Sequence, residues 1–202
     1  MARNNDPTGV ISDLLKLIGQ IVELEKEEEA LITASFTPRT LNKGEFFLQS
    51  EEVNEYVAFL AKGLVRYFVY KDDEESTFEF TKEGEFIADY QSFNHKTPSK
   101  QNIQAIEDCE LLIISHADLQ HIFHSTKHGN LIGRIIIEHR FDIMVNQLLA
   151  IYMQSHEERY QNFVRHYADI AQRIPQYLIA SYVGVKPPSL SRIRRRFVKG
   201  NS

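Results

Sequence analysis

Between Ile179 and Phe197 the chain reads IASYVGVKPPSLSRIRRRF, a run in which a small residue, a glycine, a proline pair, serines and four arginines follow one another at short, fixed steps. These residue types suit a polyanion. Lysine and arginine neutralise phosphates, a serine hydroxyl bonds phosphate or a base edge, and arginine can donate two parallel hydrogen bonds to guanine. The candidate contacts are Lys186, Ser189, Ser191, Arg192, Arg194 and Arg195. The wider charge pattern agrees. Asp169 is the last acidic residue, and seven basic ones follow it, so a chain of net charge −5 carries +7 beyond that point and −12 before it. An acidic body with a basic end orients itself on nucleic acid, although a merely solvated basic tail has the same composition.

To read a major groove, such a segment needs two short helices and a tight turn. Ala180 is the small residue at the crossing, and Gly184 supplies the turn. Ile179, Val183, Leu190 and Ile193 are the apolar anchors. Pro187 and Pro188 fall in the first turn of the second helix, where a missing N–H costs least.

The rest of the chain has to carry this reader. Residues 10 to 36 read as helical, with Ile11, Leu14, Leu15, Ile18, Val22, Leu24 and Leu31 at three- and four-residue steps and ELEKEEE as a solvated acidic face. From about 40 to 115 the pattern alternates with period two, and turns are expected near Lys62-Gly63, Asp72-Asp73 and Glu83-Gly84. Ser115 followed by Asp118 marks a helix start. From about 129 to 155, Ile137, Phe141, Met144, Leu148 and Ile151 form one apolar stripe and Ile132, Ile136, Ile143 and Ala150 another. One stripe can cover the subunit's own body and the other a second copy, although a fully buried core helix reads the same way. The remainder is helical with breaks at Pro175 and Pro187-Pro188. The fold class is therefore α+β: an antiparallel roll of the jelly-roll or double-stranded β-helix type with flanking helices, a long helix, and a helix-turn-helix.

With RIPQYLIASYVGVKPPSLSRIRRRF preceded by such a roll and a long helix, the chain resembles the Crp/Fnr superfamily of transcription regulators over nearly its whole length. NKGEFF, AKGLVRYF and KEGEFI place Gly44, Gly63 and Gly84 at turns, as in that family. The resemblance implies a cyclic nucleotide-binding-like sensor over 1–128, a dimerisation helix over 129–155 and a winged helix-turn-helix over 156–202. It further implies double-stranded DNA as partner, Arg192 as a base or phosphate contact beside Lys186, Ser189 and Ser191, a homodimer, a small-molecule effector and RNA polymerase. Pro188 stands where the family commonly has a base-reading glutamate, and little chain follows the second helix for a wing, which is expected to be short or missing.

The family's phosphate cassette corresponds here to GEFIADYQSFNHKTPSKQNIQAI, so the tentative effector residues are Gly84, Glu85, Phe86, Asp89, Tyr90, Ser99 and Lys100. Ile87-Ala88-Asp89 replaces the ribose-binding Gly-Glu pair, and Ser99-Lys100 stands where the phosphate-binding arginine belongs. Lysine gives a flexible point charge where a forked donor is wanted, which weighs against cyclic AMP.

Other chemistries find less support. No catalytic residue is assigned: G-x-S-x-G, H-E-x-x-H, C-x-x-C and phosphate-cradling glycine loops are all missing from the sequence. Cys109 is alone, so a cysteine-ligated iron–sulfur cluster is excluded. It is read as a half-buried strand residue. His121, His124 and His128 could share a helix face, but with only Asp118 nearby they read as surface histidines and no metal is expected. No run approaches the ~20 apolar residues of a membrane span, and a cytoplasmic setting is expected. The competing reading is a ligand-binding or protein-interaction module of the same fold that reads no specific DNA.

Overall fold

The computed structural model describes residues 7–200. Helix α1 spans Pro7–Gly19 and α2 spans Lys26–Ser35, so the helix expected across 10 to 36 is in fact two. The second begins at its own N-terminal closure, where the Glu25 N–H donates to Glu28 Oε2 at 3.1 Å.

Among the described residues eight strands follow: β1 (Thr37–Leu41), β2 (Phe46–Leu48), β3 (Tyr56–Lys62), β4 (Leu64–Lys71), β5 (Glu74–Lys82), β6 (Glu85–Ile87), β7 (Asn102–Ala105) and β8 (Cys109–Ser115). They form two four-stranded sheets, ordered β1-β8-β3-β6 and β2-β7-β4-β5. This is the antiparallel roll that the alternation predicts, with turns at the three expected places. Strict alternation fails in β4, where Leu64, Val65, Arg66, Tyr67 and Phe68 are all buried. Gly63 joins β3 to β4 at φ +102°, and a Cβ there would lie 2.6 Å from the Asp108 carbonyl oxygen, so a side chain is excluded on two counts.

Helix α3 (Tyr90–His95) lies between β6 and β7, and α4 (His116–Ser125) follows β8. Ser115 caps α4, accepting from the Asp118 N–H at 3.2 Å, and its hydroxyl donates to Asp118 Oδ2 at 2.6 Å. Helix α4 ends before His128, which leaves that residue off the face shared by His121 and His124. Among the described residues no group of His, Cys, Asp and Glu could hold a metal ion. Cys109 is buried rather than half-buried, and burial raises its thiol pKa to about 11.

Helix α5 (Gly129–Met153) is followed by α6 (His156–His166), α7 (Gln176–Val183) and α8 (Pro187–Gly200). The chain divides into two compact units. The first takes the chain to Arg66 together with Phe80–His139; the second takes Tyr67–Glu79 and the chain from Arg140 onward. The hairpin formed by the ends of β4 and β5 therefore groups with the C-terminal helices.

In the first unit, Phe59, Leu112 and Ile114 of the roll pack with Leu14 and Ile18 of α1, Ile32 of α2, Phe93, Ile122 and Ile132. Burial of such side chains contributes about 1.5–3 kcal/mol each. Glu28 departs from the solvated face expected of the acidic run. It is 5% exposed, accepts from the His128 backbone N–H at 2.9 Å, and pairs with His128 Nδ1 at 2.8 Å. Burial alone would push its carboxyl up, but the His128 ring and N–H, with the Glu25 N–H, outweigh that and hold it at about 2. No described helix is long and apolar enough to cross a membrane.

Candidate nucleic-acid interface and sensor cassette

The C-terminal helices build a platform for α8 from the inside outward. Ser155 opens α6 by accepting from the Glu158 N–H, while Glu158 Oε2 accepts from the Ser155 N–H at 2.8 Å, a capping box that also lowers the Glu158 pKa. Phe163, Tyr167 and Tyr182 stack with centroid distances of 5.3–5.8 Å, and burial pushes the Tyr182 hydroxyl pKa up. Arg159 Nη2 donates to the Tyr182 carbonyl at 2.6 Å, and His156 Nδ1 lies 3.1 Å from the Val183 carbonyl. Both satisfy carbonyls that α7 leaves open at its C-terminus.

The turn between α7 and α8 is closed by its own backbone. Gly184, at φ +82°, donates its N–H to the Ala180 and Ser181 carbonyls at 3.0 Å, and the Val185 N–H reaches the Ala180 carbonyl at 2.9 Å. A left-handed glycine ending one helix allows the next to start within three residues. Pro187 and Pro188 occupy the first turn of α8, where the first intrahelical donor is the Ser189 N–H, bonded to the Lys186 carbonyl at 2.9 Å. Ala180, Val183, Leu190 and Ile193 are buried, and Phe197 meets the Tyr160 ring edge-on at 5.7 Å. Residues 190, 193 and 197 thus form the inward stripe of α8, and Ser191, Arg192, Arg194, Arg195 and Arg196 remain exposed.

The six predicted contacts divide into two groups. Arg192 and Arg195 are exposed, Ser189 is half-buried, and none of the three bonds another side chain among the described residues. The other three are engaged within the chain. Ser191 Oγ donates back to the Pro187 carbonyl at 3.3 Å, Arg194 Nη1 donates to Gln176 Oε1 at 2.5 Å, and Lys186 pairs with Glu74 on the β4–β5 hairpin. Arg196 pairs with Glu157 at 2.5 Å.

The cassette residues divide differently. Asp89 caps α3, its Oδ1 accepting from the Ser92 N–H at 3.1 Å and its Oδ2 from Ser99 Oγ at 2.8 Å. Asp89 and Ser99 are both buried, at 9% and 1% exposure. Phe86 packs on Phe59 with centroids 5.5 Å apart, and Glu85 accepts from the Lys82 N–H at 3.1 Å across the turn that Gly84 makes. Tyr90 and Lys100 are exposed and make no side-chain hydrogen bond among the described residues. Sequence reasoning missed the Asp89–Ser99 bond, because an acid ten residues before a serine marks no pairing in the sequence. Glu74 and Ser181, which join the hairpin to Lys186 and α7, left no sequence signal either.

Residues 38–126 match the Cyclic nucleotide-binding domain family. No curated protein matches the sequence. Among solved structures, FixK2 from Bradyrhizobium japonicum is similar, with a TM-score of 0.69, 15% identity and coverage of 82% of this chain and 86% of that one. CooA from Carboxydothermus hydrogenoformans gives 0.66 and 17%, covering 87% and 81%. The c-di-GMP responsive global regulator CLP from Xanthomonas campestris gives 0.63 and 17%, covering 88% and 93%.

Proposed function

We propose that this chain, a cyclic nucleotide-binding-type roll followed by C-terminal helices in the fold of the Crp/Fnr transcription regulators, is itself a homodimeric DNA-binding transcription regulator of the cytoplasm. The observation that carries the reading is α8: an arginine-rich face turned to solvent, on a helix anchored by Leu190 and Ile193 directly after a glycine turn. Arg192 and Arg195 are the direct contacts, with Ser189 beside them. Lys186 and Arg194 join once they leave their partners in the chain. Residues 1–128 sense, 129–155 pair the subunits, and 156–202 read DNA.

The pairing surface is the outer stripe of α5. Ile137, Phe141, Met144, Leu148 and Ile151 recur at alternating four- and three-residue steps and are 41–61% exposed, whereas Ile132 and Ile136 pack against the roll. A heptad-spaced apolar stripe exposed on one copy is self-complementary with a second around a two-fold axis. Such a dimer sets two α8 helices about 34 Å apart, one turn of duplex, on a pseudo-palindromic site. RNA polymerase is the further partner that the resemblance implies.

The effector is a small molecule other than cyclic AMP. In the cassette, Ser99-Lys100 stands where an anionic phosphate would require a forked cation, and Ser99 is already bonded to the acid Asp89. Isothermal titration of the purified dimer with cyclic AMP should give no heat above dilution.

The reader is tested by titrating a labelled duplex with wild type and Arg192→Ala across a salt series. Loss of about 2 kcal/mol of affinity, with the dimer intact, is expected. Equal affinities would overturn the assignment of α8 as the reading helix.

A further inference from the structure

The β4–β5 hairpin carries four consecutive acids, Asp72 to Glu75, and one of them, Glu74, meets the basic end of the chain at Lys186. The two turn residues, Asp72 and Asp73, both have positive φ, +52° and +61°, which is the two-residue hairpin turn that matches strand twist and fixes the tip. Beyond the turn, Glu74 Oε2 accepts from Lys186 Nζ at 2.6 Å, and Oε1 bonds the same ammonium. The two side chains are 68% and 70% exposed, so the pair is weak when taken alone.

Further hydrogen bonds, exposed to half-buried, hold it in place. Ser181 Oγ, on α7, donates to the Glu75 carbonyl at 2.8 Å and accepts from the Thr77 N–H at 2.9 Å, and Thr77 is 2% exposed. At the hairpin's root, Glu79 Oε1 accepts from Arg140 Nη1 of α5 at 2.6 Å. Carboxylate, hydroxyl and amide therefore fasten one hairpin to α7, to the residue that opens α8, and to α5.

We propose that this hairpin is a built-in competitor of DNA: Glu74 occupies the cation at the entrance to the reading helix, and a duplex has to displace it to reach Lys186. The inference rests on the DNA-binding reading above and adds a regulatory contact to it. A carboxylate on a fixed hairpin acts as an intramolecular phosphate mimic, always present at the same distance. Its strands β4 and β5 are also strands of the roll's second sheet. An effector that altered those strands would thereby alter the hold on Lys186, the differential contact that allosteric control requires.

The test uses the whole 202-residue chain and a labelled random-sequence duplex at low salt. Glu74→Gln should tighten binding about threefold, the size of an exposed ion pair. Asp73→Asn removes the same charge one residue away, leaves Lys186 its partner and keeps a residue tolerant of positive φ, so it should shift affinity much less. The gain should vanish when Glu74→Gln is combined with Lys186→Gln. Equal gains from the two hairpin variants, or a gain that survives in the Lys186→Gln background, would overturn the proposal and leave the reader standing. Failure of both wild type and Glu74→Gln to bind any duplex would overturn the DNA-binding reading and the competitor with it.

Discussion

The candidate cassette and the proposed reading helix, α8, carry polar residues and use them in opposite directions. At the cassette, Asp89 and Ser99 face inward and satisfy each other and the Ser92 N–H. On α8, Arg192 and Arg195 face outward and bond nothing else among the described residues. Burial decides the difference. A buried carboxylate is tolerated only when donors surround it, so it becomes a structural brace, whereas an exposed guanidinium costs little to leave open and stays available to a partner. Mutations in the two regions should therefore separate stability from affinity.

The largest expected effect is at the brace. Asp89→Ala leaves the buried Ser92 N–H without its acceptor, while the Ser99 hydroxyl keeps the Gln101 carbonyl at 3.0 Å, and should cost about 2 kcal/mol in chemical denaturation. Duplex affinity per folded dimer should not change. Acid should also destabilise the fold through a second buried carboxylate, Glu28. The folded Glu28 pKa of about 2 lies below the ordinary 4.5, so its contribution to stability is fully present above pH 4.5 and is lost as pH falls through about 2. Glu28→Gln should remove part of the acid dependence in that window, on the order of 2 kcal/mol, as read from denaturation midpoints across pH.

On the reading helix the order reverses: Arg192→Ala should lose about 2 kcal/mol of duplex affinity without moving the melting temperature. Arg195→Ala should reduce the slope of log affinity against log salt by about one, the signature of a lost phosphate contact. The smallest effect is expected at Ser191 of the same helix. Ser191 already bonds the Pro187 carbonyl, so Ser191→Ala should change affinity by less than about 0.5 kcal/mol.

What could be read from the sequence was local. The roll's turns at Gly63 and Asp72-Asp73, the Ser115 cap, the two stripes of α5 and the turn at Gly184 each depend on residues within a few positions, where type and spacing constrain the backbone directly. The break between α1 and α2 escaped because the apolar spacing continues across it. Glu28 looked solvated because the residue that buries and pairs it, His128, lies 100 positions away. The same holds for Glu74 and Lys186, 112 positions apart. At the candidate site, sequence alone nominated residues for DNA contact, but not that Arg194 and Lys186 already have partners, since those bonds depend on how separate elements meet.

The central claim is that two copies of α8 read a specific duplex. Its most direct test is selection of bound duplexes from a random library by the purified protein at physiological salt, in parallel with Arg192→Ala. Enrichment of an inverted repeat with half-sites about one helical turn apart, lost or degraded in the variant, is the predicted result. No enriched sequence, or the same repeat recovered equally by Arg192→Ala, would contradict it.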